Sequence, residues 1–324
     1  MPEKLTLSTW PTPMERAPRL SEAIGLREED LWIKRDDLTG LGGGGNKVRK
    51  LEWLVADALN QGADTLVTTG GPQSNHARLT TAAAARSGLD VVLVMPGPAT
   101  PPPLTGNLLL DALLGARIVW TEGAFGAAAL TAEAEKTCSV LREQGARPYL
   151  VPFGGSSPLG ARGYLEAGNE ILAQQPDVRH VVTALGSGAT MAGLLAALGP
   201  ERVLGVDVGA LPDPARTAAA IVGELTGREQ PAEALRVRSD QVGEAYAVLH
   251  QPVLDAITTV AATEGVLLDP VYTGRAAAGL IAAVRDGHIR PGERTVLLHT
   301  GGLPGLFGHA ETALRAGQAL RTGH

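Results

Sequence analysis

The sequence predicts an α/β protein built from open, mainly parallel, twisted sheets with helices on both faces. Three observations carry that expectation. Short apolar runs alternate with longer runs whose apolar positions recur at three and four, and this strand-then-helix order builds parallel sheets with right-handed crossovers. Polar loops rich in glycine and serine follow directly on several of the strands, which is where open parallel sheets bind ligands. Aromatic residues make up only 3% of the chain against 44% hydrophobic residues. The core therefore has to be built from Ala, Leu and Val, which suits helices packed closely on a sheet. At roughly 150 residues per domain, the 324 residues make two domains or one large one.

Taken in order, residues 11–20 read as extended, with Pro11, Pro13 and Pro18 barring a helix. Residues 31–36 form a short strand that ends in the charged cluster 34–37, solvated if it is only a strand end. Four consecutive glycines follow, Gly42 to Gly45, then Asn46 and Lys47. Glycine loses more backbone entropy on folding than any other residue, so such a run fits a chain that turns unusually or approaches a ligand. Val48, Leu51, Leu54, Val55 and Leu59 mark a helix, which places Lys47 where the glycine loop enters it. Residues 65–69 are a buried strand, 70–78 a polar loop and 79–86 a helix closed by Gly88. A strand at 91–95, a proline-rich loop at 96–103, a helix at 107–114, a strand at 116–120, a helix at 127–144 and a strand at 149–152 complete the first half. The second half repeats the scheme: helix 163–174, strand 180–185, a loop at 186–190 entering a helix, strand 203–208, an alanine-rich helix ending near 284, and strand 295–300. There is no fixed-period repeat, low-complexity tract or long linker.

The net charge is −6, with 28 basic and 34 acidic residues and no basic run, which argues against nucleic acid and anionic membrane as partners. The lone cysteine, Cys138, can form neither an intrachain disulfide nor a Cys-based zinc site, and in mid-helix it reads as a buried structural residue. No metal site is expected. Residues 1–10 lack an apolar signal core, and no apolar run approaches the roughly 20 residues that span a bilayer. The expected location is the cytoplasm.

Besides that of a solvated lysine on a flexible loop, Lys47 is open to three roles. A P-loop needs Gly-x-x-x-x-Gly-Lys-Ser/Thr, but Asn46 separates Gly45 from Lys47 and Val48 replaces the magnesium-binding hydroxyl. Gly40, Gly42 and Gly45 meet the dinucleotide spacing, but they follow the polar residues 34–39 rather than an apolar strand. The third role is a lysine that forms a Schiff base with a cofactor aldehyde. Gly186, Ser187, Gly188, Ala189 and Thr190 follow an apolar strand and open a helix, so backbone N–H groups and about half a positive charge face an anion there. With Met191 where a third glycine would stand, the loop suits one phosphate; an ordinary capped turn is the alternative. Gln73, Ser74, Asn75 and His76 gather polar side chains at a strand end, an arrangement that is costly if buried without partners. Asn75 suits a ring hydroxyl or phenolate and Ser74 a carboxylate or a transferring proton. Alternatively one of them caps the next helix, and His76 is a surface histidine. A reactive lysine, a single-phosphate cradle and a polar anchor match pyridoxal 5'-phosphate, which carries one aldehyde, one phosphate and one phenolic oxygen.

Four stretches then carry a resemblance: 34–37 with 44–52, 69–78, 269–274 and 299–307. In this order they resemble the D-cysteine desulfhydrase and aminocyclopropane-carboxylate deaminase family of fold type II pyridoxal phosphate enzymes, over about residues 11–307. The resemblance implies a tryptophan-synthase-β-like fold of two open, mainly parallel sheets. It implies a large cofactor-binding domain of residues 1–46 and 161–324, a small domain of residues 47–160, and a homodimer acting on a small amino acid. Carried over by motif, Lys47 is similar to the Schiff-base lysine and proton-transfer base, and Lys50 to the lysine that helps hold the phosphate. Gly186 to Thr190 match the phosphate loop, Asn75 the residue on the phenolic oxygen, Ser74 the serine near the substrate carboxylate, and Tyr272 the tyrosine close to the ring. Gln73 and His76 join Ser74 and Asn75 as substrate contacts, and Gly154 to Ser157 are placed along the pocket.

Two positions separate the branches of that family. The deaminases carry Glu after the tyrosine and Leu before the later Gly-Gly, whereas Thr273 and Thr300 stand here, as in the desulfhydrases. A carboxylate beside the pyridine nitrogen favours its protonated form, while a threonine hydroxyl only shares a hydrogen bond. The expectation is β-elimination of D-cysteine to pyruvate, ammonia and sulfide, with Lys47 taking the Cα proton and Ser74 or Tyr272 ordering the site. The alternatives are a related lyase or deaminase acting on L-cysteate, chloroalanine or aminocyclopropane carboxylate, or a catalytically silent binding protein on the same fold.

Overall fold

The computed structural model describes residues 3–98, 103–124, 126–312, 314, 315 and 317; the middle of the proline-rich loop, 99–102, lies outside them. Strand β1 (Met14–Arg16) pairs antiparallel with β2 (Leu31–Arg35). Between them lies α1 (Pro18–Ala23), which corrects the extended reading of residues 11–20. Pro18 stands in the first turn, where its missing N–H has no helical partner to lose and its fixed φ suits the helix. The glycine run then takes φ values of 54°, 85°, 73° and 134° from Gly42 to Gly45, a left-handed path that side chains resist. It delivers the chain to α2 (Lys47–Asn60).

Strand and helix alternate from there: β3 (Thr65–Thr69), α3 (Asn75–Ser87), β4 (Asp90–Pro96), α4 (Gly106–Leu113), β5 (Arg117–Thr121), α5 (Ala127–Glu143), β6 (Pro148–Leu150) and α6 (Pro158–Gln174). The pattern continues with β7 (His180–Leu185), α7 (Ala189–Leu198), β8 (Val203–Asp207), α8 (Pro214–Thr226), β9 (Arg236–Arg238), α9 (Gln251–Glu264), α10 (Thr273–Arg285), β10 (Thr295–His299) and α11 (Leu303–Gly308). Helix α3 begins four residues before the predicted 79, because the Ser74 hydroxyl accepts from the Ala77 N–H at 3.1 Å and caps it.

Two sheets result, one of six strands in the order β1-β2-β10-β7-β8-β9 and one of four in the order β5-β4-β3-β6. Every neighbouring pair is parallel except β1 with β2. Both faces of each sheet are covered, as the apolar strand runs require. Adjacent Val181 and Val182 enter separate cores on opposite faces, the first with α6, α7 and α8, the second with α9 and α10. Leu66 and Val67 do the same in the smaller sheet. Cys138 is buried on α5.

The charged cluster after β2 is not a solvated strand end. Lys34 and Asp36 are fully buried. Asp36 accepts from Arg49 Nε at 2.8 Å and Nη2 at 2.9 Å, from Thr12 at 2.8 Å and from Tyr164 at 2.5 Å. Lys34 donates to Glu170 at 2.9 Å, and Arg49 reaches the same carboxylate at 2.8 Å. This network locks β2 and α6 to α2, two residues from Lys47. Among the described residues no helix is long and apolar enough to cross a membrane.

Candidate active site

The carboxyl ends of β3, β4, β7 and β10 and the amino ends of α2, α3, α7 and α10 converge on a cavity of about 500 Å³. That lies within the range of small-molecule sites. Loops far apart in sequence meet there because parallel strands place all their carboxyl ends on one side of the sheet.

Lys47 opens α2 and reaches the cavity, where its Nζ donates to the Gly154 carbonyl at 3.1 Å. Lys50, one turn on and fully buried, donates to the same oxygen at 3.3 Å. Neither lysine makes an ion pair with a carboxylate among the described residues. Burial pushes the Lys47 ammonium down to about 8, and burial, together with the neighbouring Lys47 charge, holds Lys50 well below the ordinary lysine range. Gly154 adopts φ 65°, and a Cβ there would stand 2.6 Å from Ser187 Cβ, so only glycine fits between the lysines and the next loop.

That loop, 186–188, leads into α7. Gly188 is buried, and among the described residues its amide and that of Ser187 donate to no protein group, an arrangement that calls for an acceptor from elsewhere. Ser156 donates to Ser187 Oγ at 2.7 Å and accepts from the Ala189 amide at 3.4 Å. Asn46 ties the assembly together: its Nδ2 donates to Thr190 Oγ1 at 3.0 Å and its amide to the Thr300 carbonyl at 2.9 Å.

On α3, Asn107 Nδ2 donates to Asn75 Oδ1 at 3.0 Å, which fixes the Asn75 amide and leaves its Nδ2 as a donor without a protein partner among the described residues. Ser74 accepts a backbone N–H and keeps its hydroxyl proton for another group. Two of the predicted contacts change character. Gln73 lies along the cavity, but its amide donates to the Thr105 carbonyl at 3.0 Å and accepts from the Asn107 amide at 3.0 Å, so it braces the start of α4. His76 is buried rather than on the surface. Thr68 Oγ1 donates to the Val151 carbonyl, so it accepts from His76 Nε2 at 2.8 Å. Burial first, then the charges of Lys47 and Lys50, holds that imidazole well below its usual range and therefore neutral.

The Asp269 carboxylate accepts the amides of Val271, Tyr272 and Thr273, each at 2.9 Å, and so aims Tyr272 into the cavity at the start of α10. Thr273 is turned the other way: its hydroxyl donates to Asp269 at 2.7 Å and accepts the Asp269 amide at 2.8 Å. The predicted contact between Thr273 and a cofactor ring is corrected accordingly, because that hydroxyl is committed to the turn. Thr300 does line the cavity, as do Gly186, Ser187, Gly188 and Thr190; Ala189 and Lys50 lie just behind the wall. Asn46, Tyr246 and His309 also line it and were not singled out from the sequence. Tyr246 comes from a stretch without any motif, and its hydroxyl is 2.6 Å from that of Tyr272. No Asp or Glu stands among the described lining residues.

The residues present fit pyridoxal 5'-phosphate: an amine free of any carboxylate, unpartnered amides at a helix amino end for one phosphate, and a fixed amide donor at Asn75. Comparison with known proteins points the same way. Residues 5–301 match the family described as pyridoxal-phosphate dependent enzyme. The chain is 40% identical over 325 aligned positions to the D-cysteine desulfhydrase of Salmonella paratyphi B, covering 94% of this chain and 96% of that protein. It is 39% identical over 325 positions to a Pyrococcus abyssi protein provisionally named 1-aminocyclopropane-1-carboxylate deaminase, covering 96% and 95%. Among solved structures, an ACC deaminase homologue superposes with a TM-score of 0.87 at 38% identity, covering 97% of this chain and 96% of that one. Threonine deaminase isoform 2 of Solanum lycopersicum, at 20% identity and a TM-score of 0.64 over 90% of this chain and 79% of its own, shares the fold.

Proposed function

The chain belongs to the family of pyridoxal-phosphate-dependent enzymes, and from that premise we propose that it is a carbon–sulfur lyase that converts D-cysteine to pyruvate, ammonia and sulfide. The cofactor, when bound, supplies an electron sink for the charge left at Cα once its proton is removed. The observation that carries the choice of reaction is the absence of a carboxylate among the described lining residues. Without one, nothing on the wall favours a protonated pyridine nitrogen, and the sink is the weaker kind. A weak sink suffices to expel a good leaving group such as sulfide from Cβ, and it disfavours opening a cyclopropane ring.

The residues take the following parts. Lys47 would hold the cofactor at its aldehyde carbon and, once the substrate amine has taken that place, would take the Cα proton with its freed amine, which burial holds down to about 8. Ser187, Gly188 and Thr190, with Lys50 behind them, hold the phosphate, and Asn75 Nδ2 donates to the phenolic oxygen. Ser74 orients the substrate carboxylate with its free hydroxyl proton. Tyr272, with Tyr246, orders the opposite wall beside Thr300. Residues 1–46 and 161–324 act as the larger, cofactor-holding unit and 47–160 as the smaller one, which the separate sheets support.

Lys47→Ala should lose both the visible absorbance of bound cofactor and sulfide release. Product analysis with D-cysteine, L-cysteine, L-cysteate, chloroalanine and aminocyclopropane carboxylate tests the substrate. Sulfide and pyruvate from D-cysteine should dominate, and a profile led by oxobutyrate from the cyclopropane would overturn the choice.

A further inference from the structure

Arg275 is fully buried on the third residue of α10 and forms no ion pair among the described residues. Its guanidinium instead donates to three backbone carbonyls: Val208 at 2.5 Å, Val248 at 2.8 Å and Ala245 at 3.1 Å. One side chain thus joins the turn that carries Tyr272, the end of β8 and the loop that carries Tyr246. The loop needs holding. Ala247 has φ 62°, a left-handed conformation that a residue with a Cβ adopts under strain, and it lines the cavity. The Tyr246 side chain makes a single hydrogen bond, to Tyr272 at 2.6 Å, with the rings edge to face at 6.5 Å between centroids. Its place is therefore set by the backbone of residues 245–248.

We propose that Arg275 is a positioning residue that holds Tyr246 against Tyr272, so that the two phenols work as one hydrogen-bonded unit on the cavity wall. A planar fork with five donors can grip several carbonyls at once, which a lysine ammonium or an apolar side chain cannot. The charged groups that face the pair are the Asp269 carboxylate and Arg275 itself, with Asp207 facing Arg275 from β8. The catalytic part of this inference rests on the lyase reading above.

The test compares Arg275→Met, Arg275→Lys, Tyr246→Phe and the double variant Arg275→Met/Tyr246→Phe. In the holoenzyme, Arg275→Met should lower kcat on D-cysteine by on the order of ten- to a hundred-fold. Tyr246→Phe should match that loss, and the double variant should be no worse than either single one. In the cofactor-free protein, alkaline titration is read from the tyrosinate absorbance. All four tyrosines are held above their ordinary value in the wild type. Arg275→Met should release one tyrosinate equivalent with a midpoint of about 10, and the added Tyr246→Phe change should remove it. If Arg275→Met does not fold, Arg275→Lys carries the test: it keeps the charge, loses the fork, and should show the same new tyrosinate. Losses that multiply in the double variant, or a titration unchanged in the single ones, would overturn the inference. If the wild type releases product from no amino acid tested, the lyase reading fails while the titration still decides the clamp.

Discussion

Gly154 and Gly155 offer a matched pair of perturbations. Both sit in the left-handed region, at φ 65° and 63°. An alanine at either position carries the same backbone penalty, about 1–2 kcal/mol. Their surroundings differ. A Cβ on Gly155 would meet Leu54 and Lys50 carbons at 3.4 Å, close to ordinary contact. A Cβ on Gly154 would stand 2.6 Å from Ser187 Cβ, and closer still to its hydroxyl. Carbon atoms settle at about 3.5–4.0 Å, so Ser187 must retreat by on the order of 1 Å. Ser187 belongs to the loop assigned to the phosphate, and Gly154 supplies the carbonyl that takes Lys47 and Lys50. A misplacement of that size is worth about a hundred-fold in rate, or about 2.7 kcal/mol. Gly154→Ala should therefore lose about a hundred-fold in kcat/KM and bind cofactor more weakly, while Gly155→Ala is destabilised but keeps kcat/KM within several-fold. Cofactor affinity is read by titrating the cofactor-free protein and following visible absorbance, turnover by sulfide release. Equal losses in the two variants would refute the steric argument and leave backbone strain as the whole effect.

Two further outcomes follow from the buried charges. Lys47, held down to about 8 by burial, should capture pyridoxal phosphate at a rate that rises with pH through that midpoint; stopped-flow absorbance on cofactor-free protein checks it, and a midpoint near 10 would contradict the burial argument. Burial alone would raise the Asp36 carboxyl, but Arg49, Tyr164 and Thr12 hold it below the ordinary carboxylate range. A depressed folded value means the stabilisation is complete above the unfolded value of about 4 and is lost as pH falls through the folded one. Asp36→Asn should cost about 3–5 kcal/mol in urea unfolding at neutral pH, with the difference from wild type shrinking only in strong acid.

Much of the molecule is legible in its sequence because the signals are local. The largely apolar residues 180–185 read as a strand, and they form β7, whose Val181 and Val182 enter cores on opposite faces. Lys47 stands where a left-handed glycine run meets a helix, and residues 186–190 where a strand turns into one. What failed did so where partners lie far away in the chain. Pro18 reads as a helix breaker unless the helix begins at it. The cluster 34–37 reads as solvated because Arg49 and Glu170, which neutralise it, are 13 and more residues distant. Gln73 reads as a ligand contact until α4 arrives to take its amide. Thr273 reads as a ring contact until Asp269 claims its hydroxyl.

By itself the sequence determined the layered α/β fold and, through four motif stretches taken in order, the family and its cofactor, since strand–helix order and motifs are written along neighbouring residues. Only the tertiary structure decided which side chains face the cavity and with what charge. That Lys47 is held down to about 8, that the His76 imidazole is held well below its usual range, that no carboxylate stands among the described lining residues, and that Arg275 donates to the carbonyls on either side of Tyr246 are consequences of burial and of contacts between distant stretches of the chain. Burial and dielectric belong to the packed molecule, so no stretch of the chain contains them.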